Sequence, residues 1–219
     1  MTDDLDNRRP LKVRQAAFAR RLAQRLADAK ITPDAISAMS VAFALLGGAL
    51  LAVSGAFDGF IRGACLVLGA ACIQGRLLCN LLDGMVAVEH GRASKAGPVW
   101  NELPDRVADI FLLAGAGYGA QTAGLVGADA LGWIAAVLAV LTAYVRELGR
   151  GLGLPADFSG PMAKQHRMAA LTVTCGISAF EPLWGGQAQV LVVGLAAIAI
   201  GTLVTVVRRT RNLVRGLKG

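Results

Sequence analysis

The 219-residue chain is poor in charge and in aromatic rings: 17% of its residues are Asp, Glu, Lys or Arg, and 5% are Phe, Trp or Tyr. A soluble domain of this size carries about 25% charge, so a soluble enzyme, a disordered tail and a secreted scaffold are excluded. The few rings, with no nucleic-acid motif beside them, offer no stacking platform. The net charge of +7 therefore does not point to nucleic acid. Cysteine is scarce as well. Cys65, Cys72 and Cys79 lie seven apart in one apolar stretch and Cys175 lies in another. No C-x-x-C and no Cys/His metal spacing exists, so these are expected as small buried residues rather than disulfides or ligands. The opening MTDDLDNRRPLKVRQ is polar, and no cleavable signal peptide is expected there.

What the chain has instead is apolar sequence: 55% of its residues, with a mean hydropathy of +0.55. It is gathered into six stretches, most of them long enough to cross a bilayer. Residues 10–30 have no such run. Leu11, Ala16, Phe18, Leu22, Leu26 and Ala29 can share a broad face opposite Lys12, Arg14, Arg21 and Arg25, which predicts an amphipathic helix on the cytoplasmic surface. Thr32-Pro33-Asp34 then supplies a capping hydroxyl, a first-turn proline and an early acid, the signs of a helix start. Spans are expected at about 34–55, 60–82 (continuing polar to about 90), 99–121, 128–149, 164–181 and 187–210. The expected fold is an all-α integral membrane protein, with residues 1–31 as the amphipathic segment and 32–219 as a six-helix domain.

Basic residues set the orientation. Eight Lys/Arg precede the first span. Arg92 and Lys95 lie between the second and third, and Arg146, Arg150, Lys164 and Arg167 flank the connection from the fourth to the fifth. Arg208, Arg209, Arg211, Arg215 and Lys218 close the chain, while the other connections hold almost none. Both termini are expected to be cytoplasmic. Gly115 and Gly119 form a G-x-x-x-G, a pattern that permits close helix packing.

The polar groups hardest to place in an apolar helix gather near the cytoplasmic ends of the second and third spans. Arg76, Asn80 and Asp83 share one helical face, and Asn101, Asp105 and Asp109 share another. A charge deep in a membrane helix costs about 2.5–3.5 kcal/mol on insertion scales, so such a group marks a functional cavity. Carboxylate and amide oxygens at this density suit a hard cation, Mg²⁺ or Mn²⁺. Such a cation beside a cytoplasmic cavity suits a phosphate substrate, and a nearby aspartate can deprotonate an incoming hydroxyl. Lys164 and Arg167, one turn apart, can clamp a phosphate or can be loop charge; His166 beside them reads as a surface residue. Arg146 and Glu147 read as a local pair.

The stretch Asn80-Leu-Leu-Asp83-Gly84-Met-Val-Ala87-Val88, followed by Gly97-Pro-Val-Trp-Asn101-Glu-Leu-Pro-Asp105, resembles the signature of the CDP-alcohol phosphotransferase family, D-x2-D-G-x2-A-R-x8-G-x3-D-x3-D. Every spacing agrees. The resemblance implies six transmembrane helices behind an amphipathic helix, a homodimer, and a divalent-metal-dependent reaction in which an alcohol attacks the phosphorus of a CDP-linked donor, usually CDP-diacylglycerol, and CMP leaves. It further implies that Asn80, Asp83, Asn101 and Asp105 occupy the metal-site positions, with Asp105 also the general base. Gly84, Ala87 and Gly97 would line the nucleotide pocket, and Lys164 and Arg167 would contact substrate phosphates. The chain departs from the signature at three places: Asn80 and Asn101 stand for aspartates and Val88 for an arginine. Asp109, one turn beyond Asp105, either compensates as a further ligand or makes a packing hydrogen bond. Arg76 either replaces the missing arginine toward substrate or pairs with Asp83. The departures leave two readings, a transferase with altered site chemistry and a relative that binds a CDP-lipid without turnover.

Overall fold

The computed structural model describes residues 17–89 and 97–218, without the side chains of Val88, Glu89, Pro98 and Asn101. Among the described residues the fold is all-helical. Helix α1 (Ala17–Asp28) is followed by α2 (Pro33–Val53), α3 (Gly59–Glu89), α4 (Gly97–Thr122), α5 (Ala128–Gly151), α6 (Lys164–Ser178) and α7 (Gln189–Gly216), with short 3₁₀ turns at Ser54–Ala56 and Glu181–Trp184. The expected helix start at Thr32 is present: its hydroxyl accepts from the Ala35 N–H at 3.2 Å, and Pro33 opens α2. Helices α2, α3, α5 and α7 are long and apolar enough to cross a membrane. Helix α4 carries more charge and α6, at 15 residues, is short.

Helices α2 to α7 close into a ring. Each packs on at least two neighbours, in the order α2, α3, α6, α7, α5, α4 and back to α2, and α4 also touches α7 across the ring. Large apolar side chains such as Leu46, Val67, Leu68, Val137, Ile200 and Leu203 point outward, and the inside is built from small residues and leucines. This inversion suits a lipid surround, where no water rewards burying leucine and close backbone contact drives packing instead.

The G-x-x-x-G is spent inside this ring. A Cβ on Gly115 would lie 2.3 Å from the Gly48 carbonyl oxygen, and one on Gly119 would lie 2.1 Å from that of Leu51. The motif thus joins α4 to α2 of the same chain. Gly115→Ala is expected to force these backbones apart and to destabilise the protein by about 1–3 kcal/mol. Gly176→Ala, where a Cβ meets nothing within 4 Å, should leave the melting temperature in detergent unchanged. Equal melting of the two variants would show that α2 and α4 do not touch here.

Helix α1 differs from the expected face. Ala19, Ala23 and Ala27 are its buried stripe, packed against Cys79, Leu82, Met85 and Val86 of α3, with Leu22 and Leu26 at the edges. Phe18 and Ala29 are exposed. Three alanines one turn apart let the helix axes approach more closely than phenylalanine would. Leu11, Lys12, Arg14, Ala16, Arg92 and Lys95 lie outside the described residues. The four cysteines are free, and Cys72, Cys79 and Cys175 are buried, as expected.

The two ends of the ring are held by different polar groups. At the end where α3 begins, Arg62 is buried and donates to the Ser178 carbonyl at 2.7 Å, to the Ser178 hydroxyl at 2.9 Å and to Glu181 at 3.1 Å. This ties the start of α3 to the end of α6. A cavity of about 430 Å³ beside it is lined by Gly55, Asp58, Arg62, Thr122 and Gln187. It lies 21 residues before Asp83 on α3, about 31 Å along the axis, and is separate from the aspartates.

Candidate active site

At the other end of the ring, the last turns of α3 and the first turns of α4 face one another. Helical phase places Arg76, Asn80 and Asp83 inward from α3, and Asp105 and Asp109 inward from α4, as their spacing predicts. The connection from α5 to α6 brings Lys164 and Arg167 onto the same cluster. This connection is anchored to α7. Arg209 donates to the Ser159 carbonyl and to the Thr142 carbonyl, each at 2.9 Å. The Met162 N–H donates to the Thr205 hydroxyl at 3.0 Å. Asn212 donates to Asp157 at 3.0 Å. Partial burial pushes the Asp157 carboxyl up, but the hydrogen bonds from Asn212 and Ser159 outweigh it and hold the group below the usual carboxylate range. Gly160 turns the chain at φ +116, against the Thr205 side chain, a conformation that favours glycine.

The cluster itself is a chain of charges. Arg76 is fully buried. Its Nη2 donates to the Asp105 carbonyl at 3.1 Å, to Asp105 Oδ1 at 3.3 Å and to Asp109 Oδ1 at 3.0 Å. Arg167, also fully buried, donates to Asp109 Oδ2 at 2.6 Å and to the Met162 carbonyl at 3.1 Å. Asp105 receives Asn80 Nδ2 on Oδ1 and Lys164 Nζ on Oδ2, with Arg106 3.5 Å from Oδ2. Lys164 is the more exposed of these cations, its side chain 26% accessible. Asp83 is separate. Its Oδ2 accepts from the Ser37 hydroxyl at 2.6 Å, the Gly84 amide lies close by, and Oδ1 is buried with no hydrogen-bond partner among the described residues.

The structure thus gathers Asn80, Asp83, Asp105, Asp109, Arg76, Lys164 and Arg167. Arg76 does not pair with Asp83; it is committed to Asp105 and Asp109, which sit across from it on α4. Asp109 is gripped between two arginines, one on each of its oxygens. Asn101 lies in α4, but its side chain is outside the described ones. Gly84 and Ala87 are half-buried on α3, and Gly97 opens α4 beyond residues 90–96, which are not described. His166 is exposed as expected, with Nδ1 3.0 Å from the Pro161 carbonyl. Arg146 pairs with Glu147 at 2.9 Å as expected and also with Glu102, whose partner the sequence did not reveal. Ser37 was missed; its only signal was a hydroxyl one turn into an apolar helix. Arg209 was read as tail charge, whereas its guanidinium is buried against the α5–α6 connection.

A divalent cation fits this set at one place. A buried, unpartnered carboxylate oxygen on Asp83 is costly unless a cation or proton meets it. Asn80 turns its amide nitrogen to Asp105, which leaves its oxygen as a donor. Among the described residues no three His, Cys, Asp or Glu side chains converge on a metal-sized space; the oxygens at hand are those of Asp83 and Asn80, hard donors of the kind that Mg²⁺ or Mn²⁺ takes.

No family model matches the chain. It is 34% identical over 154 residues to the bifunctional IPC transferase and DIPP synthase of Rubrobacter xylanophilus, a match covering 68% of this chain and 32% of that protein. The chain therefore spans about a third of that relative's length. It is 28% identical over 199 residues to the phosphatidylinositol phosphate synthase of Mycolicibacterium smegmatis, covering 88% of this chain and 82% of that one. Among solved structures, the phosphatidylinositol phosphate synthase of Mycobacterium tuberculosis with CDP-DAG bound has the same fold, with a TM-score of 0.76 at 22% identity over 90% of this chain and 94% of that one. The same enzyme in complex with manganese and citrate gives 0.74 at 21% identity, over 89% and 88%.

Proposed function

We propose that this chain, which belongs to the CDP-alcohol phosphotransferase family, moves a phosphatidyl group from CDP-diacylglycerol to an alcohol acceptor and releases CMP. The observation that carries the reading is the facing of Asp83 and Asp105 from α3 and α4, at signature positions, with a buried oxygen on Asp83 that has no hydrogen-bond partner among the described residues. Asp83 and Asn80, with Asn101, would hold Mg²⁺ or Mn²⁺; when bound, the cation supplies charge neutralisation at the donor diphosphate and at the departing CMP. Asp105 takes the proton of the acceptor hydroxyl as it attacks the phosphorus. For that, Lys164 leaves Asp105 Oδ2 and turns its ammonium to a substrate phosphate, the movement its exposure allows. Arg76 and Arg167 stay buried and hold the aspartates in place. Gly84, Ala87 and Gly97 leave room for the nucleotide.

The protein lies in a bacterial-type inner membrane, with α2 to α7 as six spans, α1 on the cytoplasmic surface and both termini cytoplasmic. The alternation of basic and uncharged connections supports this orientation. A homodimer belongs to the reading; its seam lies away from Gly115 and Gly119, which are occupied within the chain. The phosphatidylinositol phosphate synthases among the relatives, and the excess of cations around Asp105, favour a phosphorylated polyol as acceptor.

The test is CMP release by the purified protein in lipid, given CDP-diacylglycerol, Mg²⁺ or Mn²⁺, and a panel of alcohols led by inositol phosphate and followed by glycerol phosphate, free inositol and serine. CMP that needs both cation and acceptor is expected, and it identifies the acceptor. Binding of CDP-diacylglycerol with no CMP from any acceptor would instead make the protein a holder of CDP-lipid.

A further inference from the structure

The oxygens of this site are spent unequally. Asp105 is a crowded carboxylate: Asn80 and Arg76 donate to Oδ1, Lys164 donates to Oδ2, and Arg106 lies 3.5 Å from Oδ2. An ionised carboxylate offers about four acceptor positions; three hydrogen bonds and a close guanidinium fill the surroundings of this one. Asp109 has one arginine on each oxygen, Arg76 and Arg167. Of the three aspartates, Asp83 is the one that, among the described residues, no cation approaches within salt-bridge distance; it is 6% exposed and keeps one buried oxygen without a hydrogen-bond partner among those residues. Among the described residues four cations, Arg76, Arg106, Lys164 and Arg167, face three aspartates and Glu102, which lies 3.9 Å from Arg106, so cations of the protein already balance the carboxylates before any ion enters. Two divalent ions about 4 Å apart repel one another four times as strongly as two unit charges at that distance. Bridging carboxylates must offset that repulsion, and asparagine supplies an oxygen without the charge.

We propose that this active site takes one divalent cation, on Asp83 and Asn80, and that Lys164 and Arg76 supply at Asp105 the positive charge that a second cation would bring. The inference rests on the transferase reading above and concerns which charges of the same site are built into the protein. Lys164 is the adjustable member. Its flexible stem allows the ammonium to move between Asp105 and a substrate phosphate, whereas Arg76 is fixed by three hydrogen bonds from a single nitrogen.

The experiment is Mn²⁺ binding to the whole protein in lipid nanodiscs, by equilibrium dialysis, with electron paramagnetic resonance of the bound ion, and with and without CDP-diacylglycerol. One Mn²⁺ per chain is expected, with the resolved hyperfine lines of an isolated ion, lost in Asp83→Asn. Returning a carboxylate and removing the ammonium together, Asn80→Asp with Lys164→Met, is expected to raise the stoichiometry from one to two and to broaden the lines through coupling between neighbouring ions. Two coupled Mn²⁺ in the unmodified chain would overturn the inference and leave the transferase intact. Persistence of CMP release with no bound Mn²⁺ would also overturn it. Absence of both Mn²⁺ binding and CMP release would overturn the transferase reading itself.

Discussion

Asp105→Asn is expected to lower acceptor-dependent CMP release by about 10²–10⁴-fold, the range that a positioned general base contributes. Asparagine keeps the shape and one of the two oxygens, enough to face either Arg76 or Lys164, but cannot take a proton from the acceptor. The loss should fall on the turnover rate, with binding of CDP-diacylglycerol and of a single Mn²⁺ retained, since Asp83 carries the buried oxygen with no hydrogen-bond partner among the described residues. Initial rates of CMP formation with saturating donor and acceptor give the measurement. A variant that keeps a tenth of the activity would remove Asp105 from the role of base. Asp105→Glu, which restores the carboxylate one methylene further out, should recover only part of the rate, because Lys164, Arg76 and Asn80 all fit the shorter side chain.

The second large effect concerns stability. Asp109→Ala leaves Arg76 and Arg167, both fully buried, with one fewer counter-charge between them. Breaking a buried ion pair by removing one partner costs about 3–5 kcal/mol. For Arg167, Asp109 is its only carboxylate partner among the described residues. A fall in melting temperature of about 6–20 °C is expected, read in detergent with intact lipid, from the scaling of about 2–4 °C per kcal/mol for a chain of this length. Combining Asp109→Ala with Arg167→Met should recover much of that loss, because removing both partners of a buried pair also removes the desolvated charge. If Asp109→Ala melts with the unmodified protein, water reaches the arginines and the cluster is not closed. If the double variant is worse than the single, Arg167 matters through its bond to the Met162 carbonyl rather than through its charge.

The helix boundaries were legible because the apolar runs and the Thr32-Pro33-Asp34 start are local signals. All six longer helices fall within a few residues of their expected spans, apart from the longer tail of α7. The facing of Asn80 and Asp83 with Asp105 and Asp109 was legible for a similar reason: period 3.6 assigns a face. The identity of a partner across two helices was not. Arg76 lies one turn before Asn80 and two before Asp83, so the chain itself suggests Asp83; only the packing of α3 and α4 on opposite sides of α2 brings Asp105 and Asp109 nearer. The same limit hid Ser37 beneath Asp83 and Glu102 beside Arg146. Arg209 was obscured by its company, since a run of basic residues after a span reads as solvated charge, and one member turned inward leaves the composition unchanged. The glycine motif on α4 is equally silent about which helix fills it. In α1, hydrophobicity ranked Phe18 above Ala19, whereas closeness of packing ranked them the other way.

The tie made by Arg62, Ser178 and Glu181 decides where the molecule can yield. It clamps α3 to α6 at one end with three hydrogen bonds from a single guanidinium, and part of the way along Gln74 of α3 donates to the Thr172 hydroxyl of α6 at 2.8 Å. At the other end Arg76 and Asn80 of α3 and Lys164 of α6 all meet Asp105 of α4. The two helices are thus riveted at both ends and between them. Admission of substrate then falls to side chains that exchange partners, Lys164 foremost, while the rods that carry them stand still.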